Sequence, residues 1–87
     1  MIKLSDAIVF RIEGLMKEHN LKKPWDLHKA SGTEIVTISN LLSRRNNYAS
    51  HGTIHNICDG LGISIREFYD HPIFDETYYE VDTEKNK

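Results

Sequence analysis

The stretch from Leu27 to Leu41 reads LHKASGTEIVTISNL, and it limits this chain more than any other feature. Leu27, Ala30, Ile38 and Leu41 are spaced so that two short helices turn apolar faces toward one core. Ser31-Gly32 sits at the corner between them. A reversal this short between helices usually needs one residue with φ > 0, and glycine takes that conformation without steric cost.

The rest of the chain fits around this corner. Eighty-seven residues make one domain with a modest core. No apolar run reaches the length that spans a bilayer. The start, MIKLSDAIVF, lacks a small-residue cleavage site after an apolar stretch, so a secretion signal is not expected. The single cysteine excludes an internal disulfide and fits a cytoplasmic location. Charge is uneven. Residues 1–69 hold nine Lys/Arg against seven Asp/Glu, a net +2; residues 70–87 hold two Lys against six Asp/Glu, a net −4. A body at +2 is weakly basic, so any binding of nucleic acid has to rest on local clusters of cations.

Leu4, Ile8, Ile12 and Leu15 form one helical stripe, predicting a first helix from Leu4 or Ser5 to His19, with Asn20 leaving it left-handed. Pro24 suits the first turn of a second helix ending at Ser31. A third runs from Thr33 or Glu34 to about Ser43. A fourth is capped by Ser50 or Thr53 and buries Ile54, Ile57, Cys58 and Leu61 before Gly62 stops it. Ser64, with Glu67 three residues on, caps a short fifth helix carrying Ile65, Phe68 and Tyr69. No segment alternates apolar and polar residues over six positions, so strands are not expected. The expectation is an all-α, compact five-helix domain over residues 1–70, followed by an acidic, aromatic tail over 71–87, partly ordered or disordered.

With these elements in order, Leu27–Leu41 followed by TIHNICDGLGISIREFY resembles the lambda-repressor-like, Cro-type (xenobiotic-response-element) helix-turn-helix family of bacterial and phage regulators. The resemblance covers roughly residues 5–70. It implies a five-helix DNA-binding domain, commonly dimeric, that places its third helix in the major groove of double-stranded DNA. The expected function is a sequence-specific transcriptional regulator, a repressor, working at least on DNA as a homodimer. The chain departs from the family's pattern in places. The turn Leu21-Lys22-Lys23-Pro24 is one residue longer, Lys23 and Pro24 replace the usual polar cap of helix two, and His28 replaces a small residue.

The candidate DNA-binding residues follow from that placement. Asn40 is the base reader, since its amide can bond adenine bidentately, with Thr37, Ser39 and Ser43 adding base or phosphate contacts. Glu34 can accept from a cytosine amino group, and Ile35 and Val36 can touch thymine methyls. Arg44, Arg45 and Asn46, just past the third helix, track the phosphate backbone, and Lys23 adds a further phosphate contact. A rival reading turns Glu34, Ile35 and Val36 into a docking patch on a protein-interaction module, such as an antirepressor partner or antitoxin-like component.

Other features have structural readings. His51, His55 and Cys58 show metal-like spacing, but Cys58 falls on the apolar stripe and belongs in the core, so no metal is expected. Trp25 packs at the rim of the core. Phe10 lies opposite the stripe of helix one and is expected to meet the tail or a second subunit. No phosphate loop, catalytic triad or paired carboxylates occur, so neither an enzyme nor a cofactor is expected. A second domain to hold a small-molecule effector is not expected.

Overall fold

A computed structural model describes residues 1–44 and 49–79. Its elements, in order, are β1 (Ile2–Lys3), α1 (Leu4–Glu18), α2 (Pro24–Ser31), α3 (Ile35–Leu42), α4 (His51–Leu61), α5 (Ile65–Tyr69), a 3-10 turn (Pro72–Phe74) and β2 (Thr77–Tyr78). The fold is all-α in character. The stripe of α1 packs with Leu27 of α2, Ile38 of α3, Ile54, Ile57, Cys58 and Leu61 of α4, and Phe68 of α5. Each such aliphatic or aromatic side chain contributes about 1.5–3 kcal/mol by leaving water.

The helix ends show how short segments build a tight bundle. Four helices close on a residue in the left-handed region: Asn20 (φ 60) after α1, Gly32 (φ 73) after α2, Arg44 (φ 59) after α3 and Gly62 (φ 71) after α4. Beyond α1 the Leu21 N–H donates to the Met16 carbonyl at 2.8 Å and the Asn20 N–H to Lys17 at 3.1 Å. This pair of bonds satisfies carbonyls that the helix leaves open. The same pair recurs after α4, from Ile63 to Cys58 and from Gly62 to Asp59. At the other ends, Ser50 Oγ accepts from Thr53 N–H and Ser64 Oγ from Glu67 N–H. Arg11 supplies a cap from elsewhere in the chain. Its Nε–H donates to the Phe68 carbonyl at 2.8 Å and its Nη2 to Glu67 at 2.9 Å, tying the end of α5 to α1.

Two expectations need correction, the extent of the third helix and the absence of strands. The third helix is shorter than expected, because Glu34 serves as the residue before it and Ser43 as the residue after it. α1 opens at Leu4, one of the two starts expected. Lys3 stands at the N-cap with no side-chain cap bond, and Ser5 is buried in the first turn with its Oγ unpartnered among the described residues. Strands were not expected, yet Ile2–Lys3 pairs in parallel with Thr77–Tyr78. A two-residue pairing between distant ends leaves no alternating pattern, so the sequence carries no signal for it. It returns the chain to α1, where Phe74 packs near Phe68 and Tyr69, and His71 meets the edge of Phe10 at 6.2 Å. Phe10 therefore contacts the segment after α5.

α4 and α2 approach closely at Gly60. A Cβ placed there would fall 2.6 Å from Ser31 Cα and still nearer the Ala30 carbonyl oxygen. The end of α2, and with it the turn into α3, is seated directly on α4.

Candidate nucleic-acid interface

The corner between α2 and α3 is held by its own side chains. Pro24 opens α2, and the Asp26 carboxylate accepts from the backbone N–H groups of Lys22 and Lys23 at 3.0 and 3.3 Å. That acceptor satisfies donors the helix start leaves open and places negative charge at the positive end of the helix dipole. Ser31 Oγ donates to the Leu27 carbonyl at 2.7 Å and accepts from Thr33 N–H at 3.2 Å. The His28 ring lies 2.7 Å from the Thr33 carbonyl through Nδ1. A carbonyl only accepts, so Nδ1 carries the proton in this contact. Trp25 covers the same ring, with centroids 4.8 Å apart. His28, where the resemblance implies a small residue, thus fastens the turn to the helix before it.

This frame fixes the face that α3 turns to solvent. Ile38 and Leu41 are both buried, and Ile38 packs in one core with Leu27 and Ile12. Val36, Ser39 and Ser43 point outward at helical spacing, and Val36 is 63% exposed. Glu34 stands exposed at the start of the helix, while Ile35, Thr37 and Asn40 are half-buried along its flanks. The expected reading residues therefore share one short helix and its outer side. Ser43 Oγ donates to the Asn40 carbonyl at 3.2 Å, leaving the Asn40 amide outside that bond.

The expected phosphate contacts are less uniform. Lys23 is exposed at the start of α2, next to exposed Lys22, and Lys29 is exposed further along the same helix. Arg44 is exposed just past α3, but its guanidinium reaches α1 and pairs with Glu13 at 3.2 Å. Sequence reasoning did not single out Glu13. Thirty-one residues separate the partners, and an exposed acid on a helix carries no signal of a distant cation. Arg45 and Asn46 lie outside the described residues.

Beneath this surface, Cys58 is buried while His55 lies outside, 3.7 Å from Asp59. The thiol and the imidazole thus occupy different sides of α4. Among the described residues, no group of three or more His, Cys, Asp or Glu is placed to hold a metal ion. Burial pushes the Cys58 thiol pKa up, as does the nearby Asp59 charge, with Arg11 opposing. Among the described residues, no helix is long and apolar enough to cross a membrane.

No curated protein and no solved structure matches the chain. Residues 11–72, from the arginine that caps α5 to the 3-10 turn, match the Cro/C1-type HTH DNA-binding domain. With its corner, its outward third helix and this match over most of its length, the chain belongs to the Cro/C1-type helix-turn-helix DNA-binding family and is a regulator acting on double-stranded DNA.

Proposed function

We propose that the protein is a sequence-specific transcriptional repressor of bacterial or phage type, acting in the cytoplasm as a homodimer with α3 in the major groove. The observation that carries this reading is the outer side of α3. Val36, Ser39 and Ser43 are exposed, with Asn40 beside them, on a helix locked from behind by Ile38 and Leu41. In this reading Asn40 bonds an adenine edge, Ser39 and Thr37 contact bases or phosphates, and Val36 with Ile35 lies against thymine methyls. Glu34 accepts from a cytosine amino group, the one base edge in the major groove that offers it only a donor. Ser43, Arg44, Arg45, Asn46 and Lys23 hold the backbone and set the register.

A few phosphate contacts per subunit give only salt-sensitive, sequence-independent affinity. Useful selectivity then calls for two subunits on half-sites about one helical turn apart, roughly 34–36 Å. The second reading, in which α3 docks a protein partner, draws on the exposure of Val36 beside Glu34.

The test is selection of bound fragments from sheared bacterial genomic DNA at about 50 and about 200 mM salt, a range over which phosphate-driven binding falls steeply. Recovery of a short palindromic motif that persists at the higher salt is the expected result. Binding that vanishes without motif enrichment, or no binding at low salt, refutes the reading and favours the docking patch.

A further inference from the structure

Arg44 is held in an unusual way for a residue expected to meet phosphate. It is a non-glycine residue at φ 59, fixed by its N–H to the Leu41 carbonyl at 3.1 Å. Its Nη2 and Nη1 donate to the two carboxylate oxygens of Glu13 at 3.2 and 3.4 Å. Both side chains are 44% exposed, so the pair lies at the solvent boundary, where a third group can reach it. Glu13 also lines a cleft of about 420 Å³ together with Lys17 and Lys22, and is the one carboxylate among the described residues that line it. The carboxylate therefore sits among several cations, at the edge where the chain leaves α3.

We propose that Glu13 competes with DNA phosphate for Arg44, so that docking exchanges a carboxylate for a phosphate on the same guanidinium. This rests on Arg44 being a backbone contact, as proposed above. The two acceptors present the same fork of anionic oxygens, and the two terminal nitrogens are the donors that such a fork engages. The exchange is balanced in charge. Arg44 releases a counterion from the DNA, while Glu13, left without its partner, draws a cation from solvent. Glu13 thereby trims both the sequence-independent affinity and its dependence on salt. An exposed ion pair is weak enough to be opened on binding and strong enough to be felt, up to about five-fold in affinity.

The experiment is a double-mutant cycle on a short duplex of arbitrary sequence, read by fluorescence anisotropy from about 50 to about 200 mM salt. The proteins are the wild type, Glu13→Gln, Arg44→Gln, the double variant, and Glu18→Gln as a control for loss of an exposed α1 carboxylate. Thermal melts verify that each is folded. Glu13→Gln is expected to tighten binding up to about five-fold and steepen the salt slope by up to about one, beyond the control and only when Arg44 is present. Equal tightening with and without Arg44 overturns the proposal, because Glu13 then acts as a general negative charge. Weaker binding overturns it too, because Glu13 then presents Arg44 to the DNA. If Arg44→Gln itself leaves affinity and slope unchanged, the backbone role of Arg44 fails and takes the proposal with it.

Discussion

Replacing Gly60 by alanine sets two physical effects against each other. Gly60 lies in the last turn of α4. Helix propensity alone predicts that alanine stabilises an interior position by up to about 1 kcal/mol. The new Cβ, however, meets the Ala30 carbonyl oxygen, Ser31 Cα at 2.6 Å and Ala30 C at 2.8 Å. All three are backbone atoms, so no rotamer change relieves the contact. α2 must move off α4, and overpacking of this kind costs about 1–3 kcal/mol, more than propensity returns. Gly14, in the middle of α1, provides the comparison, since a Cβ there meets nothing within 4 Å. Gly14→Ala is expected to raise Tm by a few degrees, and Gly60→Ala to lower it by roughly 5–20 °C, given about 4–8 °C per kcal/mol in a domain of this size. Far-UV circular dichroism melts read both. The displaced α2 ends at Ser31 and leads through Gly32 into α3, so Gly60→Ala should weaken DNA binding at a temperature where the protein remains folded. A Gly60→Ala protein as stable as the wild type would refute the reasoning.

Gly32→Val should lower stability by about 1–2 kcal/mol, because φ 73 crowds a branched Cβ, and Gly32→Asn should lose less. Urea midpoints decide this, and equal losses would mean that the turn adapts. Stability should also fall at alkaline pH. The Cys58 pKa is raised above its ordinary 9.0 by burial first. The folded state therefore favours the neutral thiol, a contribution fully present below pH 9 and lost as pH rises through the folded value. Tyr69, raised from 10.0 mainly by burial, adds to the loss further up. Cys58→Val should remove the portion beginning near pH 9, and an unchanged Tm profile between about pH 8 and about 10.5 would assign that portion elsewhere.

The helical core was legible because it repeats a simple rule. Ile8, Ile12 and Leu15 recur at helical spacing, and Gly32, Asn20 and Gly62 mark the places where only certain residues end a helix cheaply. The outward residues of α3 were legible as the complement of Ile38 and Leu41. The remainder depends on contacts between distant positions. Glu13 meets Arg44 across thirty-one residues, Arg11 caps α5 across fifty-seven, and β1 finds β2 across the whole chain. None of these leaves a local pattern. Gly60 carries no local signal of its role, which comes from the backbone of α2 lying against it. His28 was recognised as out of place, but its bond to the Thr33 carbonyl required the turn itself.

Whether the outer side of α3 reads bases is tested by comparing wild type with Asn40→Ala on the selected site and on sites bearing every single base-pair change. Asn40→Ala is expected to abolish preference at one position in each half-site, a loss of about 1–3 kcal/mol there, while preferences elsewhere persist. Uniform weakening across all sites, or an unchanged preference at every position, would contradict base reading by α3.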